Sequence, residues 1–530
     1  MLSEVKDNIP KRLYSLTKKS IFFYLILFAF ILLGSILATY FGKSNPKVSE
    51  SNCISLVCSN PNFMLEKCIT STSPSPVTNP NKISLELWQS EPLKSQFLVK
   101  KNPLFINTNS DLSSYIIQLN DSVKYQQIDG FGASLTESSA WLLQYKLSES
   151  RRNEIIEELF GDTGLRVSLL RQPMGSTDFS LGFWSYSETA NNSNDFELGS
   201  FSLKLEEEFI RPMLDKAIKA SNGRIKLFAS PWSPPAWMKT SQSLIGGSLR
   251  KECYDVYADY FVKFLSEYKK KGIEIYGITI QNEPYYEPIN YPGMKMTEQE
   301  QVEFTRVLVE KIRKYNFNAK ILAHDHNFDG VDNAIKIILE TKNLTHGAGF
   351  HHYNDENWEQ LLLRFKDQLP DKDIWMTECG FGNWMGDASE QFHKAIVRQL
   401  RTTRYGSKGF IMWNIALDEN SKPNVMGDTG SNRGLLQISS KGIDDVKYES
   451  LFYALGHFSK FVEKDAFRID SNTFEQILES VAFLNPDKSV VLILLSRTKY
   501  EKNISLEFKG KYFNLNIPPM SATTLKFKID

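Results

Sequence analysis

The sequence predicts an α/β protein, a (β/α)8 barrel with an additional β domain and an N-terminal transmembrane helix. Three observations carry this. From about residue 125 to about 465, short apolar runs alternate with longer amphipathic ones. On both sides of that stretch the texture is strand-rich, and close to the N-terminus lies a long run without a charge. Strands that alternate with helices build a parallel sheet, and eight such units close a barrel.

The barrel strand candidates are Tyr125–Ala133, Leu165–Leu170, Arg224–Ala229, Ile273–Ile280, Lys320–Ala323, Gly347–His351, Asp373–Met376 and Gly409–Trp413. Helical patterns lie between them, for example Glu252–Lys271 and Glu298–Lys314. In the first of these, Tyr254, Tyr257, Ala258, Phe261, Phe264, Leu265 and Tyr268 recur at spacings of three and four, one face of a helix. A closing helix is expected near Leu451–Phe461. The competing arrangement, a doubly wound open sheet, is weakened because no Gly-x-Gly-x-x-Gly turn follows an early strand.

Before the barrel, Phe97–Val99 and Ser114–Leu119 read as strands; after it, Val490–Leu495 is continuously apolar and β-branched, as in a sandwich core. Residues 83–118 and 466–530 are therefore expected to form one β domain, with the barrel, 119–465, inserted between its halves.

Ile21–Phe41 is a run of 21 residues without a charge, about the length of a membrane-spanning helix. Lys6, Lys11, Arg12, Lys18 and Lys19 precede it and only Lys43 and Lys47 closely follow, so the positive-inside rule puts the N-terminus in the cytoplasm. The expectation is a cytoplasmic tail (1–20), a signal anchor (21–42) and a luminal stem (43–82), a single-pass type II arrangement. A cleaved signal peptide would normally carry a shorter apolar region. Asn120, Asn191, Asn343 and Asn503 each begin an Asn-X-Ser/Thr sequon, in keeping with a luminal or external catalytic domain. Cys53, Cys58 and Cys68 fall just beyond the membrane, where a local disulfide is plausible. Lysine plus arginine balance aspartate plus glutamate at 62 each, so no nucleic-acid partner is expected.

Barrel enzymes carry their chemistry at the C-terminal ends of the strands. There the sequence places Arg171 and Asp178, then Trp232 and Trp237, Asn282-Glu283-Pro284, His324-Asp325-His326, His351-His352-Tyr353, Glu378-Cys379-Gly380 and Trp413-Asn414. Glu283 and Glu378 each directly follow an apolar strand, and strands four and seven can face each other across the axis. Glycoside cleavage needs such a pair, one carboxylic acid to protonate the leaving oxygen and one carboxylate to attack or to activate water. Asn282 would sit beside Glu283, able to bond a sugar 2-hydroxyl. A surface carboxylate is the weaker reading of either glutamate taken alone, whereas Asn282 taken alone reads as a turn residue; the surrounding polar and aromatic set favours catalysis. The histidines raise a metal reading. Successive residues leaving a strand point to opposite faces, however, and no His-Glu-x-x-His helix is present, so neither metal nor cofactor is expected.

The strings FGASLTESSA (131–140), LLRQPMGSTDFS (169–180), ASPWSPPAWMK (229–239), QNEP (281–284), WNIAL (413–417) and ALGHFSKFV (454–462) resemble the glucosylceramidases, acid β-glucosidases of glycoside hydrolase family 30. The resemblance runs from about Phe131 to the C-terminus. It implies Glu283 as general acid/base and Glu378 as nucleophile of a retaining β-glucosidase. It implies that Asp178, Trp232, Asn282 and Trp413 hold the glucose, and that Arg171, His351 and Tyr353 line the pocket and orient the carboxylates. It also implies an immunoglobulin-like β-sandwich, glucosylceramide as substrate, a membrane surface and a saposin-type activator as partners, and a lysosomal or endomembrane lumen as location. The chain departs from the family in having Gly380 where a cysteine is usual and His352 where a tryptophan is usual. The Asn424–Gly434 loop leaves an expected sugar contact unassigned. These departures are expected to touch aglycone preference more than reaction type. Alternatives are a family 30 enzyme acting on another β-glucoside, a glucan or a xylan, and a catalytically inactive, membrane-tethered carbohydrate-binding protein.

Overall fold

Eight parallel strands close on themselves in chain order: Gly130–Ser134, Leu169–Met174, Lys226–Pro231, Ile275–Thr279, Lys320–Asn327, Gly347–His351, Asp373–Gly382 and Ser407–Trp413. The last pairs with both the seventh and the first, which completes the barrel. The computed structural model describes residues 85–102, 112–342, 344–354, 356–427 and 430–529. The expected membrane segment, Cys53, Cys58, Cys68 and Asn343 lie outside these residues. Among the described residues no helix is long and apolar enough to cross a membrane. The sequon residues Asn120, Asn191 and Asn503 are exposed.

The helices follow their sequence signals. Glu298–Lys314 is capped by a reciprocal box in which Thr297 accepts from the Glu300 amide and Glu300 reaches back to Thr297. Tyr254–Lys270 buries Tyr257, Ala258, Phe261, Phe264, Leu265 and Tyr268, the stripe read from the sequence. The closing helix is Ser450–Ser459.

Inside the barrel, side chains alternate with period two and stack in layers. Leu169, Phe228, Leu322, Trp375 and Ile411 fill the lower layer. Two residues further along, Arg171, Ser230, Thr377 and Trp413 begin the layer under the mouth. Strands five and seven interrupt this rhythm with register shifts, at His324/His326 and at Met376/Glu378. On strand five, His324 and Asp325 both have left-handed backbone (φ 74° and 56°). A bulge of this kind re-aims the residues that follow it.

The flanking strands form one nine-stranded sheet, in the order Gln96–Lys101, Leu85–Glu91, Ala522–Phe527, Val490–Ser496, Leu478–Leu484, Phe467–Ser471, Ile116–Gln127, Lys502–Phe508, Lys511–Ile517. Leu85 and Leu525 near one end share a core with Phe508 and Phe513 at the other, so the sheet folds over itself as a sandwich. Val490, Leu492 and Leu494 fill that core, while Val491, Ile493 and Leu495 join the core of the barrel domain. The strand is continuously apolar because both of its faces are buried.

The sandwich extends beyond the expected boundary at residue 118. Ile116–Gln127 pairs with Phe467–Ser471 and with Lys502–Phe508, and the chain crosses to the barrel only at Ile128–Asp129. The expected first strand, Tyr125–Ala133, is therefore two strands in two sheets. The join uses Gly130 (φ +150°), where an added Cβ would stand 2.4 Å from Ser168 Oγ.

Candidate active site

At the barrel mouth, an oxygen of Glu283, an oxygen of Glu378 and a ring nitrogen of His351 lie within 4.8 Å of one another. Glu283 leaves strand four on left-handed backbone (φ 46°), uncommon for a residue with a side chain, and its amide donates to the Asp325 carbonyl at 3.0 Å. That tie aims Glu283 inward. The irregularity at Met376/Glu378 lets consecutive residues of strand seven serve the site: Thr377 Oγ1 donates to Asp325 Oδ1 at 2.6 Å, and Glu378 faces the cavity.

Each oxygen of Glu378 is held. Arg171 Nη1 donates to Oε2 at 2.5 Å and the Tyr353 hydroxyl to Oε1 at 2.7 Å. The other Arg171 amine donates to Asn282 Oδ1 (2.7 Å) and Asp325 Oδ2 (3.0 Å). The planar guanidinium thus fixes three groups at once. It stacks 4.7 Å from the Trp232 ring, which in turn stacks on Trp413 at 5.2 Å.

Asp325 is the hub beneath. Fully buried, it accepts from Arg171, Ser230, Thr279 and Thr377, and it meets His351 Nε2 at 3.1 Å. Burial alone would raise its carboxyl, but Arg171, His351 and these donors hold it well below the usual carboxylate range. His351 spans Asp325 and Glu283, each 3.1 Å from one ring nitrogen. Burial works against its charge, yet Glu378, Asp325 and Glu283 together push it up to about 10. That shift favours the imidazolium form, which donates to a carboxylate from each nitrogen.

Burial would raise the Glu283 carboxyl too, but the hydrogen bond and charge of His351, aided by His326 and Arg171, hold it below its ordinary value. Asp178 goes the other way. Burial and the negative charges of Glu378 and Glu283 push it up to about 8, and its Oδ1 has no partner among the described residues. Asp178 thus presents a neutral acid, able to donate, at the cavity wall.

The cavity holds about 340 Å³. Strands two, three and eight supply Asp178, Trp232 and Trp413 to one wall; strands four, five and six supply Asn282, Glu283, His326, Asn327 and Tyr353. Tyr286, Tyr291, Met426 and Asn432 complete the rim. The structure thus gathers all nine sequence-derived site residues. Arg171 and His351, however, are fully buried behind the carboxylates rather than lining the pocket. His352 packs away from the cavity, against Phe328 and Trp358. Gly380 lies nearer the chemistry than expected, because an added Cβ would stand 2.6 Å from Tyr353 Oη. The sequence offers the His324-Asp325-His326 triplet only as a metal reading that it disfavours, and gives no role to Asn327. The bulge at that triplet turns Asp325 into the barrel and leaves His326 in the cavity while His324 packs on Phe350.

A closed (β/α)8 barrel with two carboxyl groups converging at its mouth and stacked tryptophans beside them defines a glycoside hydrolase. The chain belongs to glycosyl hydrolase family 30. Residues 128–462 match the family's TIM-barrel domain and residues 465–525 its β-sandwich domain. The chain is 28% identical to the lysosomal acid glucosylceramidase of Mus musculus over 428 residues, 76% of this chain and 81% of that protein. Among solved structures, SrfJ from Salmonella typhimurium superposes with a TM-score of 0.79 at 28% identity, covering 84% of this chain and all (100%) of that one. The endo-β1,6-glucanase BT3312 does so with 0.77 at 26% identity and the same coverage, 84% and 100%.

Proposed function

We propose that the protein is a retaining β-glucosidase that hydrolyses glucosylceramide to glucose and ceramide. The observation that carries the mechanism is the convergence of Glu283 and Glu378 within 4.8 Å, the short spacing of a double displacement rather than the wider gap that admits a water. Glu378 attacks the anomeric carbon while protonated Glu283 gives its proton to the departing oxygen. The glucosyl ester on Glu378 is then opened by a water that Glu283 deprotonates. Asp178, Asn282, Trp232 and Trp413 hold the sugar. Because His351 holds the Glu283 carboxyl low, the acid form is populated only in acid, and the activity has an acidic optimum.

Likeness to a lysosomal acid glucosylceramidase supports the lipid substrate. The uncharged run Ile21–Phe41 supports a type II tether with the catalytic domain in a lysosomal or endomembrane lumen, where a membrane surface and a saposin-type activator would be partners. Likeness to an endo-β1,6-glucanase favours a second reading, hydrolysis of a β-1,6-linked glucan. One experiment decides: purified enzyme at acidic pH is offered glucosylceramide in detergent and, separately, β-1,6-gluco-oligosaccharides, with the first anomer released followed by proton NMR. β-Glucose from the lipid is the expected result. Release of α-glucose first would overturn retention, and turnover of the oligosaccharides alone would replace the substrate. Glu378→Gln is expected to fold and to be inactive.

A further inference from the structure

We propose that His326 is the residue that contacts the leaving group: its free ring nitrogens hydrogen-bond a polar group of the aglycone next to the scissile oxygen. The ring is half-buried and lines the cavity on the same side as Glu283. It is held by packing alone, stacked on Tyr285 at 5.7 Å (interplanar 15°) and edge-on to His351 at 6.3 Å. Neither nitrogen makes a hydrogen bond to any described residue, whereas both nitrogens of His351 are engaged with carboxylates. An imidazole fixed by stacking in the cavity wall, with neither nitrogen bonded to a described residue, is preorganised to bond a ligand.

The layout of the mouth assigns that ligand. Asp178, Trp232 and Trp413 come from strands two, three and eight, and their wall is the one given above to the sugar. Glu283 must face the oxygen that departs, and His326 lies beyond it on strand five, next to Asn327. Asn327 Oδ1 already accepts the Tyr353 amide at 3.0 Å, which fixes that side chain beside the histidine. A neutral imidazole both donates and accepts, so it suits a hydroxyl or amide close to the glycosidic oxygen. Such a group is present in a sphingoid aglycone or a second sugar and missing from a simple aryl leaving group.

This inference rests on the double displacement proposed above. A leaving-group contact acts only in the first step, because the aglycone has gone when water opens the glucosyl ester. His326→Phe keeps the stacking on Tyr285 and removes both nitrogens; His326→Gln restores a donor and an acceptor. Both are assayed against wild type on glucosylceramide, on a β-1,6-gluco-oligosaccharide and on 4-methylumbelliferyl β-glucoside. Expected for His326→Phe is a fall in kcat/KM of about five- to tenfold on whichever natural-type substrate the wild type cleaves, the loss of one neutral hydrogen bond. The aryl glucoside, which lacks the partner group, should lose markedly less, so the ratio of the two kcat/KM values falls, and His326→Gln should recover part of that ratio. An equal fall on all substrates overturns the assignment in favour of a structural role or an effect on Glu283. Failure of the wild type on glucosylceramide with activity on the oligosaccharide overturns the substrate reading alone and leaves this test standing.

Discussion

Gly380 and Tyr353 are matched: the space an ordinary side chain would take at position 380 is filled by the tip of the tyrosine, whose hydroxyl lies 2.6 Å from where a Cβ would be. That hydroxyl donates to Glu378 Oε1 at 2.7 Å. The residue at position 380 thus bears directly on how the nucleophile is held.

Gly380→Ala is expected to push the phenol away and lower kcat by roughly 10- to 100-fold, the loss of a hydrogen bond to a charged group. Tyr353→Phe should fall by a similar factor, and the double variant by no more than either alone, because both remove one interaction. Additive losses in kcat on an aryl glucoside would contradict the coupling.

His351 sets the protonation of Glu283. In His351→Gln the positive charge is gone, so the Glu283 carboxyl rises and the basic limb of the kcat/KM profile moves to higher pH. The same charge has a stability consequence. With its folded pKa pushed from 6.5 up to about 10, His351 contributes stability fully present below pH 6.5 and lost as pH rises through 10. Urea unfolding across that range should show wild type losing its advantage over His351→Gln; a parallel dependence in the two proteins would count against an imidazolium.

Asp178 is held neutral in the fold, with its pKa raised from 3.8 to about 8. Between those values the folded state binds the proton that the unfolded chain has released, so Asp178 costs increasing stability as pH rises. Asp178→Asn has no such cost. Its melting temperature relative to wild type should climb from pH 4 to pH 8, while KM for glucosides rises at every pH.

Ile493 is fully buried and joins the sandwich to the barrel core. Ile493→Ala should cost about 2–5 kcal/mol. The loss should appear in one unfolding transition followed by both far-UV and tryptophan signals, since the same strand fills the sandwich core with Leu492 and Leu494. Two separated transitions would show that the domains fold independently.

Most of the fold was legible because its signals are local. Helix Glu298–Lys314 carries its own capping box and periodicity, and strand Gly347–His351 its own apolar run. Both have the bounds read from the sequence. The split at Ile128 was not legible, since Tyr125–Gln127 and Gly130–Ala133 have the same strand-like texture, and only their partners, Phe467–Ser471 for one and Gly409–Met412 for the other, tell them apart. The His324-Asp325-His326 triplet was ambiguous for a related reason. Strict alternation would put Asp325 on the face opposite both histidines, and it is the left-handed turn at two successive residues that brings Asp325 to Arg171 and His326 to the cavity.

The order of the strands, the glutamates towards the C-terminal ends of strands four and seven, and the aromatic and polar residues around them follow from the sequence alone, because periodicity and position along a strand are properties of a chain segment. What only the tertiary structure decided is how these residues meet: Asp325 as the anchor under Arg171 and His351, Gly380 as room for Tyr353, and His326 open to the cavity. Each of these depends on bulges and on contacts between residues far apart along the chain, and no local pattern records them.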